Sequence, residues 1–125
     1  MRKPVPGNKQ VFIRFHKDII QMIEEYAAKQ NMAKATVVSK IFEQYVKEPF
    51  YLSSLSAPYF IKRGRSSEKV VGKGMIVTVK KVVDNAIKIE AGKEGMREND
   101  FRTAIVFSFL KKEREKEEQK EEDCN

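Results

Sequence analysis

A chain of 125 residues leaves room for one ordinary domain. Its 41% apolar content allows a modest core and argues against wholesale disorder, and no run approaches the 18 apolar residues of a membrane-spanning helix. The net charge is +7, from 25 Lys and Arg against 18 Asp and Glu, and a lone Cys124 cannot close an internal disulfide.

The start, MRKPVPGNKQ, lacks the apolar stretch of a secretory signal. Together with the single Cys this gives the expectation of a reducing, cytoplasmic setting. Charge is uneven. Residues 111–125 hold five basic and seven acidic side chains, leaving 20 basic against 11 acidic in residues 1–110. A body at +9 suits a polyanionic partner such as nucleic acid. The bland alternative is that surplus Lys keeps a small protein soluble.

Residues 1–9 form a basic arm whose Arg2 and Lys3 sit beside Pro4 and could meet phosphate or stay disordered. A β-prone run follows at 10–15. Alternation puts Val11, Ile13 and Phe15 on one face and Gln10, Phe12 and Arg14 on the other. Then Ile19, Met22, Ile23, Tyr26 and Ala27 recur at helical spacing up to Asn31, a residue that tolerates the left-handed conformation of a helix end. A second helix is predicted from Lys34 to Lys47, with Val38, Ile41, Phe42, Tyr45 and Val46 inward.

Residues 48–73 read as a linker. Pro49 ends the helix before it and Pro58 discourages a continuous one. Phe50, Tyr51, Leu52, Tyr59, Phe60 and Ile61 need somewhere to pack. Lys62, Arg63 and Arg65 make either a loop laid on a DNA backbone or a solvated loop.

The chain then repeats itself. Shifted by 64 residues, positions 11–46 fall on 75–110 without a gap. Six of the 36 pairs are identical, and 14 apolar positions coincide where chance gives about 10. The second strand, 74–79, places Met75, Val77 and Val79 on one face and Gly74, Ile76 and Thr78 on the other. A helix with Val83, Ala86, Ile87 and Ala91 ends at Gly95. Another starts near Asn99 or Asp100, carries Phe101, Ile105, Val106, Phe109 and Leu110, and runs into the charged tail at 113–125. One strand–helix–helix unit has no partner for its strand, but two units supply a ribbon and a shared core. The predicted fold class is therefore mainly α with a two-stranded antiparallel β-ribbon, built from units 10–47 and 74–112 in one chain.

This order and these lengths, carried by QVFIRFHKDIIQMIEEYAAKQNMAKATVVSKIFEQYV and less clearly by GMIVTVKKVVDNAIKIEAGKEGMRENDFRTAIVFSFL, resemble the ribbon-helix-helix DNA-binding family, the MetJ and Arc superfamily. Two copies in one chain are similar to TraY-type conjugation accessory proteins. The resemblance implies a ribbon in the major groove of double-stranded DNA and phosphates held at the start of each second helix. By position, the base readers would be Gln10, Phe12, Arg14, Gly74, Ile76 and Thr78. The phosphate contacts would be Ala33, Lys34 and Ala35 in the first copy and Arg97 and Asn99 in the second, where Glu98 and Asp100 repel phosphate. Phe12 has another possible fate, in the core or against another protein.

Catalytic chemistry has little to stand on. His16 is the only His and fits a helix start or a phosphate contact better than a base. There is no GxxxxGK[ST] or GxGxxG motif, so neither a metal nor a cofactor nor a small-molecule substrate is expected. Two functions remain: a sequence-specific DNA-binding regulator or conjugation accessory protein, or a protein-interaction module of a mobile element.

Overall fold

Alternation of buried and exposed residues makes the first element a strand. In the computed structural model, which describes residues 7–60 and 72–123, Asn8–His16 forms strand β1. Val11, Ile13 and Phe15 are buried on one face while Gln10, Phe12 and Arg14 face solvent. Gly72–Lys80 forms strand β2, with Val77 and Val79 buried and Ile76 and Thr78 exposed. The strands pair antiparallel from Asn8 opposite Lys80 to His16 opposite Gly72. The ribbon is longer than the expected pairing of 10–15 with 74–79, and the Lys81 N–H closes its end by donating to the Gly7 carbonyl at 2.8 Å.

The register adds a symmetry. Phe12 lies opposite Ile76, and these two residues are also equivalent under the 64-residue shift. An approximate twofold axis therefore crosses the ribbon between them.

Four helices lie beneath: α1 Lys17–Gln30, α2 Lys34–Lys47, α3 Lys81–Lys93 and α4 Glu98–Asp123. Helix α3 begins 64 residues after α1, and α4 begins 64 residues after α2. Helix α1 starts at His16, whose Nδ1 accepts from the Asp18 N–H at 3.1 Å. It stops at Asn31 with φ +54°, where the Met32 N–H returns to the Ala27 carbonyl at 2.9 Å. Helix α3 stops in the same way: Gly95 has φ +67° and the Met96 N–H reaches the Ala91 carbonyl at 2.9 Å. Two of the six repeat identities, Ala27/Ala91 and Met32/Met96, are thus the residues of this helix-end bond.

The core joins Val11, Ile13, Phe15, Val77 and Val79 of the ribbon to Ile19, Ile23, Val38, Ile41, Phe42, Ile87, Phe101 and Ile105 of the helices. Burying each such side chain contributes about 1.5–3 kcal/mol. Val46 and Phe109, expected inward, are only partly buried. Phe109 instead closes an aromatic edge with Tyr26 at 5.7 Å and Phe50 at 6.2 Å between ring centroids.

The described part of the 48–73 segment is a strap across α4 rather than a plain linker. Residues Ser54–Tyr59 form a 3₁₀ turn that includes Pro58. The Ser53 N–H donates to Ser108 Oγ at 2.8 Å, and Tyr59 rests on Phe107 with ring centroids 5.3 Å apart. Helix α4 runs into the charged tail as expected and continues unbroken to Asp123. Among the described residues no helix is long and apolar enough to cross a membrane.

The second half also carries charge into the core. Asp84 of α3 is 1% exposed and Arg102 of α4 is 6% exposed. Arg102 donates to the Asp84 carboxylate at 2.7 Å and Lys9 of β1 donates to it at 2.8 Å, with Lys88 at 3.4 Å. Burial pushes the Asp84 carboxyl up, but the hydrogen bonds from Lys9 and Arg102 more than reverse this and hold it below the usual carboxylate range.

Candidate nucleic-acid interface

The outer face of the ribbon carries five cross-strand pairs, with Asn8 opposite Lys80 and His16 opposite Gly72 flanking a central strip of three. Gln10 faces Thr78, Phe12 faces Ile76 and Arg14 faces Gly74. All six positions are exposed, so the structure brings together the whole set of base readers expected from the sequence. Phe12 does not fold into the core, being 67% exposed, and Ile76 beside it is 60% exposed. Gly74 has a visible reason. A Cβ there would run into the far end of the Phe12 ring, which lies across the glycine.

The two helix starts that flank this strip differ. Helix α2 begins at Ala33, which is in extended conformation with no side chain capping the first turn. Its first N–H groups thus have no side-chain acceptor of their own. Ala33, Lys34 and Thr36 are exposed, and no acidic residue lies in the first turn. Two carboxylates lie nearby, Glu24 at 3.8 Å from Lys34 Nζ and Glu43 at 3.8 Å from Lys80 Nζ. A groove runs from here along β2, lined by Ala35, Thr36, Ser39, Lys40, Glu43, Ile76 and Thr78. Sequence reasoning stopped at Ala35 and missed Thr36, Ser39 and Lys40. Their signal was available, since spacings of three and four from Thr36 put them on the face of α2 opposite its apolar stripe.

The start of α4 is closed to an anion. Glu98 and Asp100 sit in its first turn. Asp100 takes two hydrogen bonds from the Arg97 guanidinium, at 2.9 and 3.1 Å. Asn99 does not point to a backbone phosphate as expected. Its Oδ1 accepts from the Arg14 N–H at 3.0 Å and its Nδ2 donates to the Arg14 carbonyl at 2.9 Å. An amide has one acceptor and one donor group in the geometry of a peptide, so it completes the open edge of β1 as a third strand would. The repeat-equivalent residue in the first half, Ala35, has no amide to do this.

No protein-family model, curated protein or solved structure matches this chain.

Arg2, Lys3, Lys62, Arg63 and Arg65 lie outside the described residues. Among the described residues, no group of three or more His, Cys, Asp and Glu could hold a metal ion.

Proposed function

We propose that this chain is a sequence-specific double-stranded DNA-binding protein of the cytoplasm, a transcriptional regulator or a relaxosome-type accessory, which lays its ribbon in the major groove. The observation that carries the reading is the outer strip of Gln10, Arg14 and Thr78 around Phe12 and Ile76. A two-stranded ribbon fits the major groove. Arg forks onto guanine, Gln onto adenine, and apolar side chains meet the thymine methyl. The uncapped start of α2 beside Lys34 and Lys40 supplies a place for a flanking phosphate. The surplus of nine positive charges over residues 1–110 favours the encounter. The resemblance to the ribbon-helix-helix family points the same way.

One observation favours the second reading, a protein-interaction module of a mobile element. Phe12 and Ile76 expose apolar surface side by side, and such surface suits a protein partner. A salt titration of binding to random duplex DNA separates the two. Phosphate contacts give a steep linear fall of log affinity with log salt. Binding that is absent at low salt refutes the DNA reading and leaves the protein partner.

A further inference from the structure

Resting on that reading, we infer that the ribbon recognises a non-palindromic duplex site in a single orientation, with an A·T centre and guanine read at one end only. Two identical strands about a twofold axis would present each reading side chain twice. Here the axis passes between Phe12 and Ile76, and the two ends of the strip differ. One end offers neutral Gln10 and Thr78, with Lys80 one pair further out and turned to within 3.8 Å of Glu43. The other offers Arg14 alone, because its cross-strand partner is Gly74. The slot that a side chain at 74 would occupy is taken by the Phe12 ring leaning across from the other strand.

Arg14 is also held at its backbone. Asn99 ties down both the N–H and the C=O of Arg14, so the guanidinium reaches out from a fixed backbone. Order paid for before binding does not have to be created on the DNA. Thr78 has no such support, because Ala35 stands where Asn99 would be. The middle of the strip has no hydrogen-bonding side chain. Phe12 and Ile76 together can touch thymine methyls on both strands, which sets the centre as A·T.

Selection from a random duplex pool tests this on the full chain, using the wild type and Thr78→Arg. The wild type should enrich a site with guanine at one end of an A·T centre. Arg14→Ala should then bind that site about ten- to a hundredfold more weakly, the range one bidentate pair discriminates. Thr78→Arg, an exposed change that leaves the core untouched, should enrich guanine at both ends. Phe12→Ala should relax the centre and leave the guanine preference intact. A palindrome enriched by the wild type overturns the inference while leaving DNA reading in place. So does an unchanged site for a Thr78→Arg protein with wild-type circular dichroism. A pool in which nothing is enriched, or in which only salt-sensitive unspecific binding is seen, defeats the sequence-specific reading and the inference with it.

Discussion

The two halves of this chain solve the same packing problem with different chemistry. At the position where α1 buries Ile20, α3 buries Asp84, and where α2 buries Val38, α4 buries Arg102. The apolar pair needs nothing but close neighbours. The charged pair needs both partners present and further hydrogen bonds to offset its desolvation, and Lys9 from β1 supplies one of them. The first half can therefore be altered gradually, whereas the second half is held by groups that fail together. The difference reaches the surface. The first half leaves its helix start open beside the ribbon, while the second pairs Arg97 with Asp100 and gives Asn99 to the β1 backbone at Arg14.

The sharpest way to break this comparison is to remove one charge. Asp84→Ala strips buried Arg102 of its 2.7 Å hydrogen bond, leaving half-exposed Glu98 at 3.8 Å, and should cost about 3–5 kcal/mol, read from chemical unfolding. Transplanting the first half's solution, Asp84→Ile with Arg102→Val, should recover that loss, ending anywhere from neutral to about 4 kcal/mol more stable than wild type. A double variant as unstable as the single one would show that the site needs charge for more than mutual neutralisation. Lys9, 39% exposed at its side chain, can turn to water once its partner is gone.

The halves should respond alike where they are alike. Ile23→Ala and Ile87→Ala empty repeat-equivalent sites that are 0% and 1% exposed, and each should cost about 2–5 kcal/mol. A difference between them beyond about 1 kcal/mol would place more of the stability in one half than the shared core implies.

Acid sharpens the contrast further. The folded Asp84 carboxyl is depressed relative to its unfolded value near about 3.9. Its contribution to stability is therefore present above that pH and is lost as pH falls through the folded value. Stability measured against pH should fall more shallowly on the acid side for Asp84→Asn than for wild type.

The smallest effects lie at the surface. Asn99→Ala removes two hydrogen bonds to an exposed strand edge and should cost about 1–2 kcal/mol. The ion pair of Arg114 with Glu25, at 2.6 Å, ties the charged part of α4 to α1. Both side chains are about half exposed, so Arg114→Ala should change stability by less than about 1 kcal/mol.

Much of the fold was legible because strands and helices leave different periods in the sequence. Val11, Ile13 and Phe15 alternate, Ile19, Ile23 and Ala27 recur at helical spacing, and Asn31 and Gly95 mark the helix ends by the backbone they tolerate. The outer strip was legible for the same reason, since a face that is not core must be surface. What periodicity leaves open is the destination of a polar side chain. Asn99 reads as a helix cap or a phosphate contact, and only the fold reveals that Arg14, 85 residues away, takes its amide. Local periodicity assigns Asp84 and Arg102 no place, although laying the halves over one another sets them on Ile20 and Val38, positions that are buried. The strap was hidden because its contacts with Ser108 and Phe107 are tertiary and carry no local pattern.

The antiparallel register has a consequence for synthesis. Each strand of the ribbon is made about 64 residues from its partner, which at 5–20 residues per second is an interval of roughly 3 to 13 seconds. Throughout that interval Val11, Ile13 and Phe15 have no opposite strand to seal them, and the edge of β1 is a template for any neighbouring nascent chain at the same stage. Crowding on one messenger favours exchange between such chains, and slower synthesis of residues 17–71 lengthens the interval in which exchange competes with self-pairing.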